Sequence, residues 1–314
     1  KKFTQSCRDR HVDHIFIAGD LFHTKTSGIS PEYIDLLNDL IHKLCNVARV
    51  HITLGNHDGN LTNLQRQDAV SPIVDAMAYE MGDTLNLYKR SGIYTLSKGY
   101  NLCVFSCFDE EGWKNVHPVP GEVNIATYHG SVTGAVTETG WGLEGHVGLD
   151  FFDGYDFVML GDIHKRQDLA TRADAGGIQK PWISYPGSMI QQNYGEDLDH
   201  GYLHWQISDR DHWEVQFVEL PSTQPWVTLQ WGGSAIGVLD EARRYLPGAR
   251  TRVSSISRLS AAESDEVVTL LKREGASEVV IHSTESSSED GLLILGESSV
   301  MKQDLRDPVT LFEL

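Results

Sequence analysis

The sequence predicts an α/β fold followed by a smaller α+β domain, and three observations carry that prediction. Apolar runs of strand length alternate with helix-like stripes through the first two-thirds of the chain. Several of those runs stop at glycine beside Asp, Asn or His. Around Leu220-Pro221-Ser222 the pattern changes and a separate strand–helix–strand unit begins. At 314 residues the chain is long for one core and comfortable for two domains, placed at 1–221 and 222–314.

The first strand is His14–Ala18, stopped by Gly19-Asp20. A helix follows with Ser30 as N-cap and Pro31 at its first position, where a missing N–H costs nothing. Ile34, Leu37, Leu40, Ile41 and Leu44 form its apolar stripe. Val50–Leu54 is the next strand, ended by Gly55-Asn56-His57-Asp58. Leu102–Cys107, Val123–Tyr128 and Asp156–Leu160 are further strands. Gly201–Ile207 and Trp213–Glu219 form a hairpin about Ser208–Asp211. In the second domain Ser260-Ala261-Ala262-Glu263 is a capping box for a helix running to about Glu274, with Gly275 closing it. Arg250–Ser255 and Glu278–His282 flank that helix as strands, and the Ser/Glu-rich Thr284–Asp290 is a solvated loop.

Composition narrows the class. With 40% hydrophobic and 22% charged residues this is an ordinary globular chain, and no apolar run approaches the length of a membrane helix. No signal peptide opens it, and Cys7, Cys45, Cys103 and Cys107 form no Cys-x-x-Cys pair, so free thiols in the cytoplasm are expected. The net charge of −18 argues against a nucleic-acid binder that works by bulk electrostatics. A carboxylate metal site, however, counts as negative until its cations arrive.

The polar clusters are the informative feature. Gly19-Asp20, Gly55–Asp58, Tyr128-His129-Gly130 and Gly161–His164 each follow a strand, and loops after strand C-termini converge on one edge of an open sheet. Carboxylates, an amide oxygen and imidazoles without a thiolate make a mixed O/N ligand set for Mn, Fe or Zn ions. One carboxylate between two such ions can bridge them at roughly 3.5–4 Å, the spacing that serves in-line phosphoryl displacement. Any single Gly-Asp is an ordinary turn; four such clusters in order are specific.

This order resembles the calcineurin-like metallophosphoesterase family. Gly19-Asp20-Leu21-Phe22-His23 and Tyr185-Pro186-Gly187-Ser188 resemble its SbcD-type double-strand-break-repair branch, including phage recombination endonuclease subunits. The resemblance implies two packed mixed β-sheets flanked by helices in four layers, then a DNA-capping domain. It also implies two divalent metal ions, Mn first, with Mg, Fe or Zn as alternatives. Asp20 matches the bridging ligand, Asn56 and His129 ligands of the second metal, and His164 a ligand of the first. Asp162 stands where the family more often has His, a harder ligand favouring Mn or Mg. His57 matches the non-ligand histidine that assists the leaving oxygen, and His23 is a candidate substrate contact.

The resemblance further implies DNA and an SbcC-type ABC ATPase as partners, with a homodimer compatible. The family's opening strand ends in Asp-x-His. Asp9-Arg10-His11 matches those letters but precedes a strand, so the motif is expected upstream of Lys1. His11, His14, His42, His51 and His117 are assigned to surface or packing. Two rivals stay open: a phosphoesterase for small phosphodiesters or proteins, and a non-catalytic DNA-binding or scaffold subunit. Leu21-Phe22-His23 after Asp20 lacks the Asp-Arg-Gly of protein phosphatases.

Overall fold

Strands that are apolar on both faces need cover on both sides, and that requirement organises the first part of the chain. The computed structural model describes residues 2–23, 28–284 and 292–293. It divides into two compact units, Lys1–Met189 with Gly201–Leu220, and Ile190–His200 with the described residues from Pro221 onward.

In chain order the first unit contains α1 (Lys2–Asp9), β1 (His14–Ala18), α2 (Pro31–Cys45), β2 (Arg49–Thr53) and α3 (Ser71–Met81). Then come β3 (Leu85–Tyr88), β4 (Gly92–Ser97), β5 (Tyr100–Phe105), β6 (Val123–His129), β7 (Phe157–Gly161), β8 (Gln167–Ala173) and β9 (Gln179–Tyr185). The hairpin β10 (Gly201–Ile207) and β11 (Trp213–Glu219) completes it. One sheet is parallel in the order β1-β2-β3. The other is mixed, β4-β5-β6-β7-β9-β8, with β4 and β8 antiparallel to their neighbours.

Alternation of side chains builds three apolar layers. Leu37, Ile41 and Leu44 of α2 and Ile73, Val74 and Met77 of α3 pack on Val50 and Ile52 of β2. Between the sheets, Phe16 and Tyr88 meet Leu102, Val104, Ile125 and Phe157. The opposite faces of β5, β6 and β7 present Cys103, Phe105, Ala126, Tyr128, Val158 and Leu160, covered by Val132, Ala135, Val147, Phe152 and Tyr155. This outer cover is loop and 3-10 turn, a thinner layer than the flanking helices of the sequence reading.

The expected elements appear with shifts of one or two residues at their ends. Ser30 caps α2 by accepting the N–H of Tyr33, with Pro31 in its first turn. The strand expected at Leu102–Cys107 ends at Phe105, so Cys107 lies beyond it. Asp9 sits at the end of α1, its carboxylate accepting from Gln5.

The second unit contains β12 (Trp226–Gln230), α4 (Ala235–Ala242), β13 (Arg250–Ser255), α5 (Ala261–Arg273), β14 (Glu278–Ser283) and β15 (Leu292–Leu293). Its sheet runs β12-β13-β14-β15, the first three strands parallel. The capping box forms: Ser260 accepts the N–H of Glu263, and Glu263 accepts that of Ser260. Ile190–His200 joins this unit through Gln191, whose amide accepts the Trp226 N–H at 2.8 Å and donates to the Trp226 carbonyl at 2.9 Å. Residues 285–290 of the expected Ser/Glu-rich loop lie outside the described residues. No described helix is long and apolar enough to cross a membrane.

Candidate metal centre

The two sheets of the first unit meet at the C-terminal ends of β1, β6 and β7. A Cβ on Gly161 would stand 2.0 Å from the Ala18 carbonyl oxygen, so only glycine permits that approach. Gly130 donates its N–H to the Gly161 carbonyl at 3.2 Å, and His129 Nδ1 lies 2.5 Å from the Ala18 carbonyl. The loops that leave these strands therefore open onto one place.

Sharp exits point the carboxylates inward. Gly19 (φ 89°) and Asp20 (φ 56°) both adopt the left-handed region, as does Asp162 (φ 97°). Non-glycine residues rarely accept this conformation, and where they do the surroundings must hold them. Asp58 does the holding at Asp20. Its buried carboxylate accepts N–H groups from Asp20 at 2.9 Å, Gly55 at 2.8 Å and Phe22 at 3.0 Å. Burial pushes the Asp58 carboxyl up to about 6, against the pull of those donors. The loops after β1 and β2 are thus clasped by one side chain, and the His57 N–H adds a bond to Asp20 Oδ1 at 2.9 Å.

At the centre stand Asp20, His129 and Asp162, with one ligand atom from each lying within 4.8 Å of the others. Because Nδ1 donates to Ala18, His129 Nε2 turns its lone pair toward the carboxylates, 3.3 Å from Asp20 Oδ2 and 3.7 Å from Asp162 Oδ1. Nε2 is buried and makes no hydrogen bond. Asp20 Oδ2, Asp162 Oδ1 and the His129 Nε2 lone pair face one another, a set of acceptors that a divalent cation satisfies. The three groups also perturb one another. Burial opposes charge on His129, yet Asp20 holds the ring above its usual range. Burial also opposes charge on Asp20, but His129 and the His57 N–H hold it below the usual carboxylate range. Asp162 is held above that range, by burial first and by Asp20 second, although His129 pulls the other way.

The remaining expected residues surround this core. Asn56 projects from the clasped loop with its side-chain oxygen buried. His164 is exposed, two residues past Asp162, and lies outside the tight triad, while its ring and that of His57 both act electrostatically on Asp162. Its carbonyl accepts the Ser188 N–H at 2.9 Å, so the Tyr185–Ser188 turn lies against the His164 loop. His57 and the exposed His23 stack with ring centroids 5.9 Å apart and planes 2° from parallel.

Sequence reasoning assigned no role to Asp58 or Tyr185. Tyr185, fully buried, donates to the Gly130 carbonyl at 2.6 Å and accepts the Val132 N–H at 3.0 Å, fixing the exit from His129. Asp58 lay inside the Gly55–Asp58 cluster and was the legible one of the two; nothing in the letters marks Tyr185 as a brace. Cys107 also lies nearby, but burial pushes its thiol up to about 12, so it stays protonated and offers no thiolate.

A model of the calcineurin-like phosphoesterase family matches residues 1–245. The chain is 37% identical over 210 residues to "Uncharacterized protein R555" of Acanthamoeba polyphaga mimivirus, covering 62% of this chain and 14% of that protein. It is 25% identical over 215 residues to "Putative phosphoesterase 244L" of Invertebrate iridescent virus 6, covering 64% of this chain and 68% of that protein. The chain thus spans a small part of the first relative's length.

Proposed function

This chain belongs to the calcineurin-like phosphoesterase family, whose members hydrolyse phosphoesters with divalent metals, and we propose that it is a metal-dependent DNA nuclease. The observation that carries the reading is the acceptor-only triad of Asp20, His129 and Asp162 beside the stacked His57 and His23. The DNA assignment draws its support from the SbcD-type motifs Gly19–His23 and Tyr185–Ser188.

Asp20, Asn56, His129, Asp162 and His164 would hold two divalent cations, Mn first. Such ions supply positive charge to the phosphate oxygens and a nucleophile available at neutral pH. The chain's own residues do the rest. Asp58 fixes the Asp20 backbone, and the Ala18 carbonyl fixes the His129 tautomer so that Nε2 faces inward. His57, tied to Asp20 through its N–H, would carry a proton to the departing sugar oxygen, with His23 stacked against its ring. The second unit would serve as a DNA-facing cap, and an SbcC-type ABC ATPase as the partner.

A second reading, a phosphoesterase for small phosphodiesters, is favoured by the net charge of −18. A substrate panel with Mn²⁺ separates the two. The nuclease reading expects cleavage of end-labelled duplex or single-stranded DNA that His57→Ala removes. Hydrolysis of bis(p-nitrophenyl) phosphate with every DNA form left intact would replace it by the second reading.

A further inference from the structure

The loop between β6 and β7 leaves the site as a braced projection. Gly130 follows His129 directly, and the arms close on each other: Leu143 donates to Ala135 at 2.8 Å, Gly134 to Leu143 at 3.3 Å and Thr133 to Val147 at 2.8 Å. Val132, Ala135 and Val147 are buried beneath it. Gln167, three residues after His164, grips the middle with its amide. It accepts the Val136 N–H at 2.8 Å and donates to the Val136 carbonyl at 2.9 Å. The loop is therefore rooted in both segments that carry the imidazole ligands.

Its tip is equally fixed. Gly140 (φ 79°) makes the turn and donates to Thr137, Thr137 donates to the Trp141 carbonyl at 2.9 Å, and the Trp141 N–H donates to Thr137 Oγ1 at 3.2 Å. Nothing lies within 4 Å of a Cβ built on Gly140 or Gly142. Between those glycines Trp141 is 75% exposed. The turn is closed by backbone groups and Thr137, and none of its bonds uses the indole. A large aromatic is thus held in water on an ordered backbone.

We propose that Trp141 stacks on an unpaired nucleobase of the DNA substrate. The inference rests on the nuclease reading and names how that site would grip a strand beyond the metals. With a net charge of −18, and Glu138 and Glu144 as the nearest charged residues in sequence on either side of Trp141, the tip itself carries no cation to attract phosphate. The neutral face of a base is the part of DNA that such a loop can bind, and stacking on an aromatic is insensitive to sequence. The chain from Gly130 to Trp141 reaches at most roughly 36 Å when extended. At about 3.4 Å per stacked base, the contact falls within about eleven nucleotides of the scissile phosphate.

The test uses the full chain with single-stranded oligonucleotides, Ca²⁺ replacing Mn²⁺ for affinity and Mn²⁺ for cleavage. Trp141→Ala should weaken binding by roughly 5- to 150-fold, and Trp141→Phe by much less. An abasic residue walked along the strand should reproduce the loss in the wild type at one position within about eleven nucleotides of the cut. It should cost nothing further there in Trp141→Ala. DNA cut and bound alike by wild type and Trp141→Ala would overturn this inference alone. So would a loss in Trp141→Ala that stays the same whichever base is removed, the signature of a contact to something other than a base. Hydrolysis of bis(p-nitrophenyl) phosphate by a wild type that neither binds nor cuts oligonucleotides would overturn the nuclease reading and this inference with it.

Discussion

Replacing Asp58 tests the architecture of the site most directly. The side chain is 1% exposed and is the shared acceptor for three backbone N–H groups, those of Asp20, Phe22 and Gly55. Asp58→Ala removes the acceptor and leaves three backbone donors without it. Each buried donor left unpaired costs about 1–3 kcal/mol, so after partial relaxation the variant should lose roughly 3–6 kcal/mol. Against a typical stability of about 5–15 kcal/mol that is a large fraction. Asp58→Asn separates charge from geometry. An amide oxygen in the Oδ2 position still serves Asp20 and Gly55, but the amide nitrogen then faces the Phe22 N–H, and a loss of about 1.5–3 kcal/mol follows. Urea unfolding of the three proteins gives the energies, and calorimetric Mn²⁺ titration shows whether Asp20, released from its left-handed conformation, still binds metal. If Asp58→Ala unfolds within 1 kcal/mol of wild type and titrates with undiminished Mn²⁺ affinity, the clasp is not what holds Asp20.

Three further outcomes are expected. His57→Ala should cut phosphodiester hydrolysis by about 10²–10⁴-fold while metal content measured on the purified protein stays the same; loss of one metal equivalent would make His57 a ligand. Gly19→Ala adds a Cβ that would stand 2.3 Å from His129 Nδ1 and 2.7 Å from the Gly55 backbone, at φ 89°. It should lower both the unfolding midpoint and Mn²⁺ affinity, and a variant equal to wild type in both would show that the approach of β1 to β6 is loose. His51 pairs with His14 at 2.9 Å and with the Tyr88 hydroxyl at 2.8 Å, and burial pushes its ring down to about 3. Between pH 6.5 and 3 the unfolded chain therefore binds a proton that the folded one refuses, and stability falls as pH falls, by about 1.4 kcal/mol per pH unit from this ring. His51→Gln should flatten the slope of unfolding free energy between pH 6.5 and 5 by that amount; an unchanged slope would refute it.

The parts of the fold that were legible in the letters are those where one physical demand dominates. Val50–Thr53, Val123–His129 and Phe157–Gly161 are buried on both faces almost throughout, so they read as apolar runs, and glycine stands at or just past their ends. The candidate ligands became visible because they sit at strand exits. The strands β8 and β9 stayed hidden for a reason that can be named. Gln167–Ala173 is polar and half exposed at the sheet edge, and β9 carries Pro181, which argues against a strand until one sees the register shift opposite it. Asp58 was visible as a letter and opaque as a role, since a carboxylate that binds metal and one that binds backbone N–H groups look alike in sequence. Only the three convergent donors distinguish them.

The Gln191 clamp on Trp226 has a consequence for how the protein is made. The chain passes from the first unit to the second at Met189, returns at Gly201, and leaves again after Leu220. During synthesis Ile190–His200 therefore emerges well before the sheet it belongs to, and the Gln191 amide waits for a partner 35 residues downstream. A truncation at residue 221 would not yield a clean first unit. It would leave this segment between two stretches of the first unit with the Gln191 amide deprived of both its Trp226 partners. Genetic dissection of the two units accordingly calls for two excisions, one on each side of the β10–β11 hairpin, and a nascent chain paused before Trp226 should be open to proteases at Ile190–His200 but not in the flanking β9 or β10.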